Sequence, residues 1–286
     1  MPTSRHPFSQ VDVFSSVPSL GNAVAVVHDA HGVTDEEMAR FARWTNLSET
    51  TYLLPATDPE ADYRLRIWTP DRELPFAGHP TLGSAHAWLE AGGVPSNEAE
   101  LVQECGAGLV RVRRGERLAF AGPPLLRSGP VGDADRSRIV AALRLPEDDL
   151  VDLAWVDNGP GWVACLLGSA EDVLACRPDY GAFGDLEIGI VGPYADPSTA
   201  GAHVEVRAFV PSMGIGEDPV TGSLNAGIAQ WLAGDRLPAS YVASQGTVLG
   251  RRGRVHLDRS GDTVWVGGDA VTLITGEVRL AAGARA

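Results

Sequence analysis

Cysteine is scarce in this chain. Cys105, Cys165 and Cys176 stand far apart among 286 residues, too few and too scattered for a disulfide framework or a zinc cluster. A reducing cytoplasm is the compartment this implies. Basic residues are also short, with 23 Lys and Arg against 37 Asp and Glu and a formal net charge of −14. An acidic surface repels phosphate backbones, so nucleic acid and anionic membrane surfaces are excluded as expected partners. Aromatic residues make up only 7%, which suggests no base-stacking surface. No apolar run nears the roughly 18 residues that a membrane span needs. The opening MPTSRHPFSQ is polar and carries two prolines, unlike a secretory signal or a transit peptide. There is no G-x-S-x-G elbow for serine hydrolysis, no phosphate loop, and no G-x-G-x-x-G after a strand for a dinucleotide. His79 and His86 could share a helix face, but no third ligand lies near them in sequence, so no metal is expected.

What is present is ordinary globular composition, 44% hydrophobic and 21% charged, at a length that suits two domains. Short β-prone runs open the chain at Val11–Phe14 and Ala23–Val27. Thr34-Asp-Glu-Glu is a capping-box pattern that predicts a helix through Trp44. Tyr63–Trp68 alternates polar and apolar residues, as a strand with one solvated face does. A loop rich in Pro and Gly follows, then helical spacing over Leu82–Ala91 that stops at Gly92-Gly93. Gly122-Pro123-Pro124 marks the expected boundary between domains 1–124 and 125–274. Beyond it, strands are expected at 153–156, 162–167, 188–191 and 204–209. A loop at 210–219 then leads into a helix over 222–232.

The most informative feature is an internal repeat. His79-Pro-Thr-Leu-Gly-Ser84 and Asp218-Pro-Val-Thr-Gly-Ser223 each follow a strand-like run and a Pro-bearing loop, and each leads into an apolar helix. Two similar domains would meet at a cleft that receives one helix N-terminus from each. Helix N-termini carry unpaired N–H groups and partial positive charge, so such a cleft suits a small carboxylate. Taken singly, Asp218 and Ser223 read as helix caps, His79 as a satisfied residue at a helix start, and Glu49 as a surface carboxylate. Taken together, Glu49, His79, Asp218 and Ser223 form a plausible acid/base set at loop and element ends.

Several segments resemble the phenazine-biosynthesis PhzF-like isomerase family, a branch of the diaminopimelate-epimerase-like fold. They are Val11-Asp-Val-Phe14 with Gly21-Asn-Ala-Val-Ala-Val26, Asn46-Leu-Ser-Glu-Thr-Thr51, Leu74-Pro-Phe-Ala-Gly-His-Pro-Thr-Leu-Gly-Ser84, Gly216-Glu-Asp-Pro-Val-Thr-Gly-Ser223 and Gln245-Gly246. The resemblance implies an α+β fold of two pseudo-symmetric domains. Each is a mostly antiparallel, curled sheet around a central helix, and the active site lies in the cleft between them. It implies that the last strand, 275–286, can join the first domain. It also implies a homodimer, a small-molecule carboxylate substrate, and no metal or other cofactor. Cysteine-using epimerases of this fold carry cysteines at the cleft, whereas both helix-start motifs here lack them. By the same resemblance Glu49 shuttles the proton, and His79, Asp218 and Ser223 bind substrate and relay protons. Asn22, Gly78, Thr221 and Gly222 bind substrate, with backbone N–H groups around the two glycines holding a developing anion.

The implied reaction is cofactor-independent movement of a proton on a small cyclic or unsaturated carboxylic or amino acid, within a biosynthetic pathway. Amino-acid racemisation or epimerisation shares the fold and differs in the face to which the proton returns. A small-carboxylate binding protein without turnover would need the helix N-termini but not Glu49. One departure stands out: Leu224-Asn225 replaces the Ala-His found in many relatives, a change expected to bear on substrate choice.

Overall fold

The computed structural model describes residues 3–213 and 215–281. It is a mixed α+β fold whose chain divides into two units. One holds the residues up to Ala121 and those from Gly267 onward, and the other is Gly122–Val266.

The first unit opens with β1 (Thr3–Val13), β2 (Asn22–Val27), helix α1 (Asp35–Thr45), β3 (Glu49–Leu54) and β4 (Tyr63–Trp68). A two-residue strand, β5 (Glu73–Leu74), precedes helix α2 (Gly78–Glu90), and β6 (Glu100–Cys105), β7 (Gly108–Arg114) and β8 (Leu118–Ala121) follow. Thr34 caps α1 as its capping-box pattern predicts, accepting from Glu37 N. Strand pairs are antiparallel except where a helix crosses over. The α1 crossover makes β2–β3 parallel, and the α2 crossover makes β4–β6 parallel.

The second unit holds β9 (Arg127–Pro130), α3 (Asp133–Leu143), β10 (Leu150–Asp157), β11 (Trp162–Leu167), α4 (Ala170–Ala175) and β12 (Glu187–Pro193). Next come α5 (Pro197–Ala200), β13 (Val204–Phe209), β14 (Glu217–Asp218) and α6 (Gly222–Leu232). The unit closes with β15 (Ser240–Gln245), β16 (Gly253–Ser260) and β17 (Thr263–Gly268). The crossover pattern of the first unit recurs. α4 links the parallel pair β11–β12, and β14 with α6 links the parallel pair β13–β15. The chain then returns to the first unit as β18 (Ala270–Ala281), antiparallel to β1 from Val13 back to Thr3. Residues 282–286 of the expected last strand lie outside the described residues.

Side-chain alternation decides which helix each strand residue meets. On β3, Thr50 bonds Thr45 of α1 and Tyr52 donates to Met38 O of the same helix. The intervening Thr51 bonds Ser84 of α2 instead, at 2.9 Å. Glu49 therefore starts the strand on the α2 face. On β12, Ile188 and Ile190 join a core with Ile139 and Leu143 of α3 and Val173 of α4. Gly189 faces the other way, and a Cβ there would stand 2.4 Å from Leu224 Cδ1 of α6. Glu187 thus starts its strand on the α6 face.

The strand registers correct the alignment of the repeat. α2 begins at Gly78, not Leu82, so His79 and Pro80 lie inside its first turn, where a proline costs no hydrogen bond. α6 begins at Gly222, so Asp218 lies four residues before it, on β14. The halves match with Gly78-His79 over Gly222-Ser223, not with His79 over Asp218. An Arg–Glu fork marks this register in each half. Arg66 Nε and Nη2 bond the two carboxylate oxygens of Glu73 at 2.6 and 2.7 Å, and Arg207 bonds Glu217 likewise at 3.0 and 2.8 Å. Each arginine also reaches its crossover helix, Arg66 through Asp35 of α1 and Arg207 through Val173 O of α4. Each lies over the ring two residues on, Trp68 or Phe209.

Candidate active site

In the first unit three of the expected residues converge under α2. His79 Nε2 lies 3.3 Å from Glu49 Oε2, and Asn22 Nδ2 lies 3.3 Å from His79 Nδ1. Asn22 opens β2 and is aligned by its neighbour, since Gly21 N–H donates to the buried Asp12 carboxylate at 2.8 Å. Close packing brings α2 down onto these strands. A Cβ at Gly83 would stand 2.4 Å from Val24 Cγ1, and Val24 is the register partner of Glu49.

His79 is 5% exposed. Burial drives its pKa down to about 3, against a hydrogen bond with the Ala23 backbone that raises it. At neutral pH the ring is uncharged, so the contact with Glu49 has ion-pair distance but joins a neutral imidazole to a carboxyl group. The two groups lie side by side without an aligned hydrogen bond, and the neutral ring does not trap the carboxyl group in a salt bridge. Gly78, the first residue of α2, is buried, and the helix has neither a side-chain cap nor an acidic residue in its first turn. Its leading N–H groups therefore keep their capacity for an anion.

The second unit assembles the other expected residues around the start of α6. Thr221 Oγ1 donates to Asp218 Oδ2 at 2.5 Å. Gln245, fully buried at the end of β15, ties the corner together. Its Oε1 accepts from Thr221 N at 3.0 Å and from Asn225 Nδ2 at 2.8 Å, while its Nε2 donates to Asp218 O and Thr221 Oγ1. Trp162 Nε1 donates to Ser223 Oγ at 3.0 Å, which leaves the serine hydroxyl hydrogen to serve another acceptor. Asn158 Nδ2 donates to Ser223 O. Neither Asp218 nor Ser223 caps α6: the N-cap is Thr221, without a side-chain cap bond. Gly222 is buried at the first helical position, and here too the first turn holds no acid.

Leu224 and Asn225 are both fully buried. Leu224 fills the space above Gly189, and Asn225 braces Thr221 O and Gln245. Both residues therefore serve packing and bracing. Sequence reasoning missed Trp162 and Asn158 as holders of Ser223, and it missed Gln245 as the hub of the corner. The indole had no local signal, because its partner lies on a distant helix. Among the described residues no three His, Cys, Asp or Glu side chains cluster as a metal site would, and no helix is long and apolar enough to cross a membrane.

The family model described as phenazine biosynthesis-like protein matches residues 11–276. The trans-2,3-dihydro-3-hydroxyanthranilate isomerase of Pseudomonas aeruginosa is 34% identical, covering 90% of this chain and 91% of its own length. Antisense-enhancing sequence 1 of Schizosaccharomyces pombe is 35% identical, with 96% and 99% covered. The crystal structure of a PhzF-family phenazine biosynthesis protein from Bacillus anthracis superposes with a TM-score of 0.82 at 23% identity, covering 96% of this chain and 99% of that one. With the strand-starting glutamate, the Gly-His-Pro helix start and the Glu-Asp-Pro-x-Thr-Gly-Ser corner, these matches place the chain in the phenazine biosynthesis-like (PhzF-like) family of isomerases.

Proposed function

We propose that this isomerase moves a proton on a small cyclic or unsaturated carboxylic or amino acid by general acid/base catalysis, with Glu49 as the carrier and no cofactor. The observation that carries the reading is the 3.3 Å contact between Glu49 Oε2 and His79 Nε2, beneath a helix start free of side-chain caps. Glu49 takes the proton from a carbon next to an activating group. The electron pair left behind shifts the double bond, and Glu49 returns the proton to another carbon on the same face. His79 holds the carboxyl group in place. Part of the proposal, resting on the sequence motifs, is that Asp218, Thr221 and Ser223 serve the same substrate, and that N–H groups at Gly78 and Gly222 hold its carboxylate or the developing anion. A homodimer in the cytoplasm belongs to the same proposal, with sedimentation as its check.

The test follows deuterium from solvent into product. The first substrate to try is trans-2,3-dihydro-3-hydroxyanthranilate, on which the Pseudomonas relative acts by its name. Glu49→Gln is expected to lose about 10²–10⁴ in kcat while keeping its fold by circular dichroism. A Glu49→Gln variant that isomerises at the wild-type rate overturns the role of Glu49. Inversion at a single carbon would instead identify an epimerase, and calorimetric binding without exchange would identify a binding protein.

A further inference from the structure

Glu187 is a buried carboxylate outside the proposed acid/base set. It is 4% exposed and starts β12 as Glu49 starts β3. The registers make the two positions equivalent. Glu49 pairs with Val24 across the parallel β2–β3 ladder, and Glu187 pairs with Trp162 across the parallel β11–β12 ladder. In each half the glutamate faces the central helix, whose second residue is His79 in one and Ser223 in the other.

The surroundings differ. Glu49 meets the imidazole. Glu187 Oε1 accepts a hydrogen bond from Ser212 Oγ, and its buried Oε2 has no hydrogen-bond partner. Ser212 lies in the single turn after β13, on the connection to Asp218. Beside Glu187 on the ladder, Trp162 holds Ser223. One carboxyl group thus sits between the two segments that present Asp218 and Ser223.

We infer that Glu187 is a positioning residue for the Asp218–Ser223 corner, the second half's counterpart of Glu49 with its task changed from carrying a proton to bracing. What the corner does in catalysis rests on the function proposed above. Burial presses the carboxyl group of this brace toward its neutral form. Trp162 on β11, Ala208 on β13, Ser212 and Leu224 on α6 bring no charge to this face. Arg207 and Glu217 are paired on the opposite face. Asp218 lies at the end of the Gly189–Ala208–Asp218 row on the same face, where a second negative charge would be disfavoured. Burial holds the Glu187 carboxyl above its usual range, against the bond from Ser212 that lowers it.

The test compares Glu187→Gln, Glu187→Leu and Ser212→Ala in two ways. The first is thermal melting from about pH 4 to pH 8. Glutamine copies the neutral acid. Glu187→Gln should match the wild type at the acid end and melt above it at the alkaline end, where the unfolded glutamate ionises and the folded one resists. A constant offset at every pH means an ionised Glu187 and overturns the inference. The second is steady-state kinetics. Glu187→Leu and Ser212→Ala should lose roughly tenfold or more in kcat/KM through a displaced corner, and Glu187→Gln should restore most of it. Full activity in a folded Glu187→Leu or in Ser212→Ala overturns the positioning role. If the wild type turns over no candidate substrate, the functional reading fails on its own, and the melting series still decides the state of Glu187.

Discussion

His79 ties the acid side of the stability profile to its own burial. Its folded pKa is depressed from 6.5 to about 3, so the unfolded chain takes up a proton that the folded chain refuses. The stabilisation from the neutral ring is complete above about pH 6.5 and drains away as the pH falls toward 3. His79→Asn should flatten the loss of urea midpoint over that window, and an unchanged slope would show that the ring titrates normally in the fold. The residue types at this site were readable in the sequence. Glu49, His79 and Asn22 do meet, and Asp218 and Thr221 do bond each other. The holders were not readable. Trp162 looks like any apolar strand residue, and only tertiary packing turns its indole N–H to Ser223. Glu187 was missed for a different reason, since the sequence Glu-Ile-Gly-Ile-Val shows little likeness to Glu-Thr-Thr-Tyr-Leu. Only strand register reveals that the two glutamates occupy one position.

Between strand and helix, the duplicated Arg–Glu fork gives an internal comparison of burial. Arg207 and Glu217 have side chains 3% exposed, and Arg207 also bonds the carbonyls of Val173 and Cys176. Removing its charge with Arg207→Met leaves a buried carboxylate alone and should cost about 3–5 kcal/mol by urea denaturation. Arg66 makes the same fork near the surface, with Glu73 38% exposed. Water and counterions screen that pair, so Arg66→Met should cost about 1 kcal/mol or less. Equal losses would mean that geometry, not burial, sets the worth of the fork. The elements themselves were legible where periodicity was strong, as in α1 with its Thr34 cap, β4 and α6. The start of α2 was not. Gly78-His79-Pro80 reads as a turn because proline usually ends regular structure, yet in a first turn its missing N–H has no role. The shared Pro-x-x-Gly-Ser spelling sets His79 over Asp218, out of register with the helix starts at Gly78 and Gly222, although the repeat itself is real in strand order and crossovers.

At the scale of the molecule, the first unit is built from both ends of the described chain. β18 runs the length of β1, and Leu280 is 2% exposed in a cluster with Val27, Met38 and Tyr52. Leu280→Ala should destabilise that unit by about 2–5 kcal/mol. Amide exchange should speed up in β2 and β3 and stay unchanged in β11 to β13; uniform acceleration would mean that the two units unfold as one. The second unit, by contrast, is one uninterrupted stretch of sequence, Gly122–Val266. Synthesis on a ribosome therefore reverses the order in which the halves can be completed. The opening strand must wait, its edge exposed, while the whole of Gly122–Val266 is made and can fold behind it. A chaperone that shields β1 in a nascent chain would be guarding the last seam to close.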